Sequence, residues 1–436
     1  MIEKTNFVKP KFIEDRLFIL AIFFRITSDM VYRLYLSKMY AYQGFINDFT
    51  VDRYVESWLI FVCLYFFMNF KNKNDIRLSY LVNVLLYYLS ITPFTTLVAY
   101  GVGSDLFVIC NSIYWTILIF GIRFINRLPY ISYKKVVIPN YMVEDRAVFS
   151  FSIIAALVIV YISARYTGFR FGIGISSVYS LRSEVRTYGI PIVINYMFCW
   201  TRTLISIFYA YSLYQRKWIQ AIIFVVLQIL AFNIDGMKST LFMIPLVSAV
   251  ILFVAKEKMD IVLGISIASI VIFVCALMEP NIFGTYITCI YIVYRTFFLP
   301  THIGSSFFDY FTSHEPDYFR SSFLRRLGIG SPYSPPGIDF IISGTYYGSE
   351  NSAANNGLIS DAIANLGIMG VVIMPLVVCM VLRYLDRCTA RLNMEIILVV
   401  AFSVSLILMN AFISVALVTN GILVLGVVLI YMKRGR

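Results

Sequence analysis

Long apolar runs dominate this sequence and restrict the chain to an environment other than water. Residues 221–234, and residues 153–162 extended on both sides, approach the ~20 apolar residues with which an α-helix crosses a ~30 Å hydrocarbon layer. Hydrophobic residues make up 60% of the chain and charged residues 14%, whereas charged residues are about 25% of a soluble domain. The sequence therefore predicts an all-α, polytopic integral membrane protein.

About twelve transmembrane helices fit the pattern of apolar runs. Lys and Arg recur in the short loops between these runs, so the positive-inside rule places those loops and both termini in the cytoplasm. The predicted spans are residues 17–39, 55–70, 79–100, 106–122, 147–166, 191–214, 218–234, 238–255, 260–278, 358–382, 393–412 and 415–432.

One further apolar run, residues 285–300, would reverse this topology if it crossed the membrane. Because the run is short, contains Arg295 and ends at Pro300, it is interpreted as a helix lying at the outer interface. The prediction is a single membrane domain over residues 1–436 with two long outer segments, an Arg-rich loop at 167–190 and a large loop with short helices at 301–357.

Positive charges on the outer side need a separate explanation, since the positive-inside rule gives none. The stretch YSLRSEVRTYG (179–189) has Arg182 and Arg186 four residues apart, which would put both on one helix face and Glu184 elsewhere. Guanidinium groups pair with phosphate oxygens in a bidentate geometry and stay charged at any working pH. The pair indicates a phosphate or carboxylate ligand; solvated loop charges and anchors to anionic lipid are the alternatives.

Other charges lie inside the predicted spans. Arg202 sits well within residues 191–214, where an unpaired arginine costs ~2.5 kcal/mol or more. It is therefore either part of a ligand site or one partner of an intraprotein salt bridge. Arg25, Asp29 and Arg33 follow an i, i+4, i+8 spacing, which favours a structural pairing along one stripe of the first helix.

Nucleotide and metal sites are not expected. The fragment DGMKST (235–240) lacks the first glycine and the GK dipeptide of a phosphate-binding loop, so its Lys238 is either a snorkelling anchor or part of an anion site. His302 and His314 are the only histidines and lie too far from any cysteine to indicate zinc. Outer carboxylates such as Glu315 and Asp317 form only a weak pattern for a metal site. We therefore expect no metal and no cofactor.

Five fragments in a fixed order give the chain a family resemblance: RITSDMVYRLYLSKMYAYQGF (25–45), YSLRSEVR (179–186), DGMKSTLF (235–242), YRTFFLP (294–300) and ANNGLISDAIANLGIMG (354–370). In this order the chain resembles the oligosaccharide repeat-unit polymerases (Wzy-like) that build O-antigen and capsule. The resemblance covers roughly residues 16–385. It implies an architecture similar to the GT-C-type membrane glycosyltransferases and the O-antigen ligases.

The resemblance also implies a reaction and a location. The chain would polymerise undecaprenyl-pyrophosphate-linked oligosaccharide at the outer face of a bacterial cytoplasmic (inner) membrane. Membrane lipids and a chain-length regulator protein would be further partners, and nucleic acid would not. The ligases have His, a small polar residue, nine residues, Gly, two residues and Gly. Asn356, Gly357, Gly367 and Gly370 match this spacing, but Asn356 replaces the histidine, so no base is assigned there.

Specific residues are expected to carry this chemistry. A leaving pyrophosphate needs preorganised cationic donors. The predicted pyrophosphate-binding residues are Arg182, Arg186, Lys238, Arg295 and Arg202. Asp361 and Glu350 are the predicted general bases, because they lie where the large loop returns to the membrane; His302 and Glu184 are further candidates. For Asp361 the alternative is a carboxylate that stabilises a helix N-terminus.

Two questions stay open at this level. Aromatic residues of the large loop suit either stacking on sugar rings or packing over the membrane surface. They are Tyr310, Phe311, Tyr318, Phe319, Tyr333, Tyr346 and Tyr347. The alternative function is a lipid-linked oligosaccharide flippase or transporter, which should place its charges along a central cavity and have short loops on both faces.

Overall fold

The computed structural model describes residues 11–68, 76–129, 141–172, 178–254, 260–322, 324–350 and 352–432. Within these ranges the chain is helical and contains no β-strand, as the sequence predicts. The α-helices are α1 (Lys11–Val31), α2 (Ser37–Met39), α3 (Val51–Met68), α4 (Leu78–Leu86), α5 (Thr92–Ala99), α6 (Asp105–Arg127), α7 (Tyr141–Ile162), α8 (Val178–Val185), α9 (Ile192–Tyr214), α10 (Trp218–Asp235), α11 (Lys238–Val254), α12 (Ile261–Phe283), α13 (Leu299–Ser313), α14 (Ile338–Tyr347), α15 (Ile359–Leu366), α16 (Gly370–Thr389), α17 (Met394–Asn410) and α18 (Ile422–Tyr431). π-helical turns at Tyr32–Leu36, Tyr87–Ile91, Ser163–Thr167, Cys289–Phe298 and Val415–Thr419, and 3-10 turns at Ala41–Gln43, Leu324–Leu327 and Gly367–Met369, extend or link them.

In the described part of the chain, seven helices are long and apolar enough to cross a membrane. They are Leu78–Ala99, Asp105–Arg127, Arg146–Thr167, Ile192–Tyr214, Trp218–Asp235, Ile261–Phe283 and Ile359–Thr389, and shorter apolar helices lie at Lys238–Leu252, Met394–Asn410 and Ile422–Tyr431. Each of the seven coincides with a span predicted from the sequence. The chain is a polytopic membrane protein, and the total of about twelve spans stays a prediction.

The chain folds into two compact units. Unit one comprises residues 1–76, 83–124 and 260–378, and unit two comprises residues 77–82, 125–259 and 379–436. The predicted site residues are divided between them: Arg295, Glu350 and Asp361 belong to unit one, and Arg182, Arg186, Arg202 and Lys238 belong to unit two.

Helices α1 and α12 pack together in the core of unit one. The ring of Phe24 lies 4.8 Å from the ring of Phe273, edge to face. Arg25, the next residue on α1, is fully buried and forms an ion pair with Asp29 one turn later. A buried charge is costly unless it is paired, so this contact is structural. The pairing predicted for Arg25 and Asp29 is confirmed, whereas Arg33 is exposed.

A continuous helix takes the place of the helix predicted to end at Pro300. The π-helical residues Cys289–Phe298 lead directly into α13, which runs to Ser313. Pro300 does not end the helix, because it lies just after the π-helical residues, where the hydrogen-bond pattern changes to that of α13. The predicted end at Pro300 is therefore wrong, and the segment 301–357 begins as helix.

Helix α9 lies at the centre of unit two and carries Arg202. Phe208 of α9 stacks on Phe224 of α10 with ring centroids 5.7 Å apart. The hydroxyl of Tyr209 lies 2.8 Å from that of Ser248 on α11. These contacts fix α9 against the two helices that follow it in the chain, and so fix the position of Arg202.

Candidate functional site

Arg182 lies on α8, a short helix on which Leu181 packs against unit two. Leu181 is 1% exposed and packs on Phe232 of α10, with Leu241 beside them. Arg182 is the next residue and is exposed. No described residue forms a hydrogen bond or an ion pair with its side chain. The packing of Leu181 therefore holds an uncommitted guanidinium at the surface.

Arg186 and Glu184 differ from the predicted arrangement. Helix α8 ends at Val185, and the N–H of Thr187 donates to the carbonyl of Glu184 at 2.9 Å, so Arg186 lies in the turn after the helix. Arg186 is exposed. The carboxylate of Glu184 accepts from Arg170 at 3.0 Å and from the Tyr188 hydroxyl at 3.1 Å. Glu184 is thus engaged in a local network, which disfavours it as a general base.

Arg202 has an intraprotein partner. It forms an ion pair with Asp235 of α10, and its guanidinium lies 5.4 Å from the ring centroid of Phe198. The second carboxylate oxygen of Asp235 accepts from the N–H of Met237 at 2.9 Å, which holds the carboxylate in place. Arg202 therefore has the salt bridge that was one of its two alternatives. Lys238, at the start of α11, remains half-buried.

Positive charge exceeds negative charge in this part of unit two. Glu184 and Asp235 are each paired with an arginine. The cations of residues 168–190, with those at positions 202 and 238, are Arg170, Arg182, Arg186, Arg202 and Lys238. The surplus of positive charge suits this surface to an anionic ligand. Among the described residues, none forms a hydrogen bond or an ion pair with the exposed side chain of Arg182.

In unit one, Asp361 has the surroundings of a structural carboxylate. It lies in the first turn of α15 and is 2% exposed. Its carboxylate accepts from the Asn365 side chain at 2.7 Å, and the Asn365 oxygen accepts from the N–H of Phe319 at 2.9 Å. The N–H of Asp317 also donates to the carbonyl of Ala364 at 2.7 Å. This network fastens the large loop to α15 and leaves Asp361 away from solvent.

The residues around α15 that match the ligase spacing, among them Asn356, Gly367 and Gly370, have packing roles. The side-chain nitrogen of Asn356 donates to the carbonyl of Pro300 at 2.6 Å and to the Ser360 hydroxyl at 2.9 Å. Gly367 has φ 59° and ψ −148°, a conformation essentially restricted to glycine. A Cβ at Gly370 would lie 2.0 Å from the Ala362 carbonyl oxygen. These residues therefore allow α15 and α16 to approach each other closely.

Glu350 and Arg295 are the exposed predicted site residues of unit one. Glu350 follows α14 and has its side chain beside Gly344. Arg295 lies in the π-helical turn, next to Tyr294, whose ring stacks on Tyr40 at 3.6 Å. Their exposure suits contact with a ligand, in contrast to the buried Asp361.

His302 of α13 is buried within a chain of hydrogen bonds. Its Nδ1 lies 2.9 Å from the Tyr347 hydroxyl, which lies 3.0 Å from the Ser306 hydroxyl. The imidazole ring also forms a hydrogen bond with the backbone of Gly44 and stacks on the ring of Phe45, with the ring centroids 4.2 Å apart. Burial lowers the pKa of His302 to about 4, so the imidazole is neutral at physiological pH. With both nitrogens engaged, His302 ties α13 to α14 and to the segment before α3.

The stability of the protein should depend on the protonation of His302. The unfolded chain binds a proton near pH 6.5 and the folded chain near pH 4, so stability should fall as the pH is lowered between these values. The loss amounts to about 3 kcal/mol. His302→Gln, which cannot titrate, should flatten the dependence of the unfolding temperature on pH between 4.5 and 7. An unchanged slope in His302→Gln would contradict the assignment.

Sequence reasoning missed Asp309. In α13 it follows His302 and Ser306 at the i+7 and i+3 positions, so the three share one stripe of the helix. Asp309 is exposed, but neighbouring protein partly desolvates its carboxyl group and raises its pKa. The signal in the sequence was the spacing from His302, and treating position 301 as the start of a loop concealed it.

Aromatic residues of the large loop mostly pack on one another. Tyr310 stacks on His314 at 3.9 Å, and Phe311 meets Tyr333 edge to face at 5.4 Å. Tyr318, in contrast, is 48% exposed.

Among the described residues, no group of three or more His, Cys, Asp or Glu side chains could hold a metal ion.

None of the protein families, curated proteins or solved structures compared with this chain matches it.

Proposed function

We propose that this chain is a membrane glycosyltransferase that joins polyprenyl-pyrophosphate-linked oligosaccharide repeat units into a polysaccharide. The seven apolar candidate spans support the membrane setting. The proposal places about twelve helices in a GT-C-like arrangement in a bacterial cytoplasmic membrane, with both termini inside and the reaction at the outer face.

One observation carries the proposal: the guanidinium of Arg182 is exposed and has no hydrogen-bond or ion-pair partner among the described residues. The nearby carboxylates of Glu184 and Asp235 are taken by Arg170 and Arg202. Leu181 packs against α10 and holds the backbone at Arg182, so little backbone order has to be gained when an anion binds. The planar guanidinium of arginine can donate two parallel hydrogen bonds to two oxygens of a pyrophosphate.

The proposed reaction is a glycosyl transfer. A hydroxyl oxygen of the acceptor sugar bonds to the anomeric carbon of the donor sugar, and the bond from that carbon to the pyrophosphate oxygen breaks. The bonding electrons leave with the pyrophosphate, whose added negative charge Arg182, Arg186 and Lys238 would stabilise. The hydroxyl proton passes to a general base. The two predicted bases, Glu350 and Asp361, belong to unit one; Glu350 is exposed and Asp361 is buried.

The buried arginines give little support to the alternative, a flippase or transporter. Such a protein should place its charges along a central cavity. Arg25 and Arg202 are instead each paired with a carboxylate of their own unit, Asp29 and Asp235. We therefore favour polymerisation over transport.

Arginine substitutions in unit two test the anion site. Arg182→Ala and Arg186→Ala should each lower polymer yield or shorten the chains about tenfold or more, because a hydrogen bond to a charged group contributes about 1.5–3 kcal/mol. The measurement is a gel of surface polysaccharide from a strain in which the variant replaces the wild-type gene. Protein abundance in the membrane should stay normal, because both side chains are exposed.

Arg165→Ala provides the matched control. It removes the same charge from the same unit, but Arg165 lies over the ring of Tyr166 at 5.8 Å and is outside the predicted site. Its polysaccharide ladder should resemble that of the wild type. Wild-type chain lengths in both Arg182→Ala and Arg186→Ala would sink the anion-site assignment.

A further inference from the structure

One stripe of α13 presents polar groups toward α14. His302, Ser306 and Asp309 share this stripe, and the hydroxyl of Tyr347 on α14 lies 2.9 Å from His302 and 3.0 Å from Ser306. Tyr346 precedes Tyr347 on α14; burial raises the pKa of Tyr346, and the nearby Asp309 carboxylate raises it further. At one end of the stripe, His302 is buried and both of its ring nitrogens are hydrogen-bonded; at the other end, Asp309 is exposed.

Asp309 differs from three other carboxylates of unit one, Glu315, Asp317 and Asp361, which have internal partners. Glu315 is paired with Arg320 at 3.1 Å, Asp317 accepts from the N–H of Ser321 at 2.6 Å, and Asp361 accepts from Asn365 at 2.7 Å. No described residue donates a hydrogen bond to the Asp309 carboxylate. A partly desolvated carboxylate without an internal donor is prepared to accept hydrogen bonds from a ligand.

The aromatic neighbours of Asp309 are held in place by their own contacts. The ring of Tyr310 stacks on the ring of His314, with the ring centroids 3.9 Å apart. The Nδ1 atom of His314 also lies 2.8 Å from the backbone carbonyl oxygen of Tyr310. Tyr346 is half-buried, next to the Tyr347 that His302 and Ser306 fix. Rings fixed in this way lose little freedom on binding.

A carboxylate beside tyrosine rings matches the chemistry of a saccharide. Adjacent sugar hydroxyls donate to the two carboxylate oxygens, and the C–H face of a sugar ring packs on an aromatic ring. We propose that Asp309, Tyr310 and Tyr346 form a saccharide-binding subsite on unit one that takes the oligosaccharide of the repeat unit. The choice of this oligosaccharide rests on the proposed function; the saccharide class rests on the carboxylate and the rings.

The test uses the full-length protein in detergent or nanodiscs, with oligosaccharides from partial acid hydrolysis of the surface polysaccharide of the same strain as the probe. These fragments carry no pyrophosphate, so they report on the saccharide subsite alone. Titration should give a dissociation constant that Asp309→Asn weakens about tenfold or more, because a charged acceptor is lost. Tyr346→Ala should also weaken binding, and Tyr346→Phe, which keeps the ring, should retain most of it.

Two controls separate this subsite from the anion site and from general effects. Glu315→Gln removes a carboxylate that is already paired, on the same segment, and should bind the oligosaccharide as the wild type does. Arg182→Ala should also bind it normally, because the probe has no phosphate. Wild-type affinity in Asp309→Asn, or no binding by the wild-type protein, would overturn the subsite.

The outcome is independent of the proposed polymerisation. If deletion of the gene abolishes the polysaccharide ladder but the oligosaccharide does not bind, polymerisation stands and the subsite is overturned. If the oligosaccharide binds through Asp309 but deletion leaves the ladder unchanged, the subsite stands and polymerisation is overturned.

Discussion

Gly370→Ala should leave little folded protein in the membrane. A Cβ at this position would lie 2.0 Å from the carbonyl oxygen and 2.6 Å from the carbonyl carbon of Ala362. The obstacle is the backbone of α15, which cannot rotate away as a flexible side chain can. Overpacking costs about 1–3 kcal/mol even where side chains can adjust, so a backbone clash should take a large part of a total stability of about 5–15 kcal/mol.

Size-exclusion chromatography of detergent-solubilised protein, followed by thermal unfolding, measures this effect. Gly330→Ala is the control, because a Cβ at Gly330 meets no atom within 4 Å. We expect Gly330→Ala to unfold at the wild-type temperature and Gly370→Ala to be absent or to unfold well below it. An unfolding temperature equal to the wild type in Gly370→Ala would contradict the close contact between α15 and α16.

Arg202→Leu should strongly destabilise unit two. The ion pair with Asp235 is largely buried, with side chains 17% and 10% exposed. Removing the arginine leaves the Asp235 carboxylate without its counter-charge, and breaking a buried pair in this way costs about 3–5 kcal/mol. The expected result is a low amount of protein in the membrane and a lowered unfolding temperature.

The double variant Arg202→Leu/Asp235→Leu distinguishes a structural pair from a ligand site. If the pair is structural, removing both charges should restore much of the lost stability, because no uncompensated charge remains. If Arg202 instead binds pyrophosphate, Arg202→Leu should accumulate normally and lose polymer. That second result would reverse the structural interpretation of Arg202.

The membrane fold could be predicted from the sequence because the hydrocarbon layer imposes long apolar helices. Residues 221–234, for example, fall within α10. Pairing within one helix was equally accessible: Arg25 and Asp29 are separated by one turn, and the helix itself brings them together. The helical continuation through Pro300 was not, because a proline is compatible with both the end and the first turn of a helix.

Contacts between separate elements could not be predicted from spacing. Arg202 meets Asp235 33 residues later, and His302 meets Tyr347 45 residues later. Both contacts depend on how helices pack, which the local pattern does not determine. The same limit explains Asp361, whose position at the end of the large loop suggested a base although packing buries it against Asn365. Asp309 was overlooked for the converse reason, since only the extent of α13 reveals its place beside His302.

Reconstitution of the purified protein with its lipid-linked substrate is the decisive measurement. Liposomes would receive the full-length protein and the single repeat unit on polyprenyl pyrophosphate, extracted from a strain that lacks the gene. The proposal predicts that products of two and more repeats appear with the wild-type protein, and that Arg182→Ala forms them about tenfold more slowly or not at all. A substrate that crosses the bilayer without lengthening, or that stays unchanged in both protein and control liposomes, would contradict polymerisation.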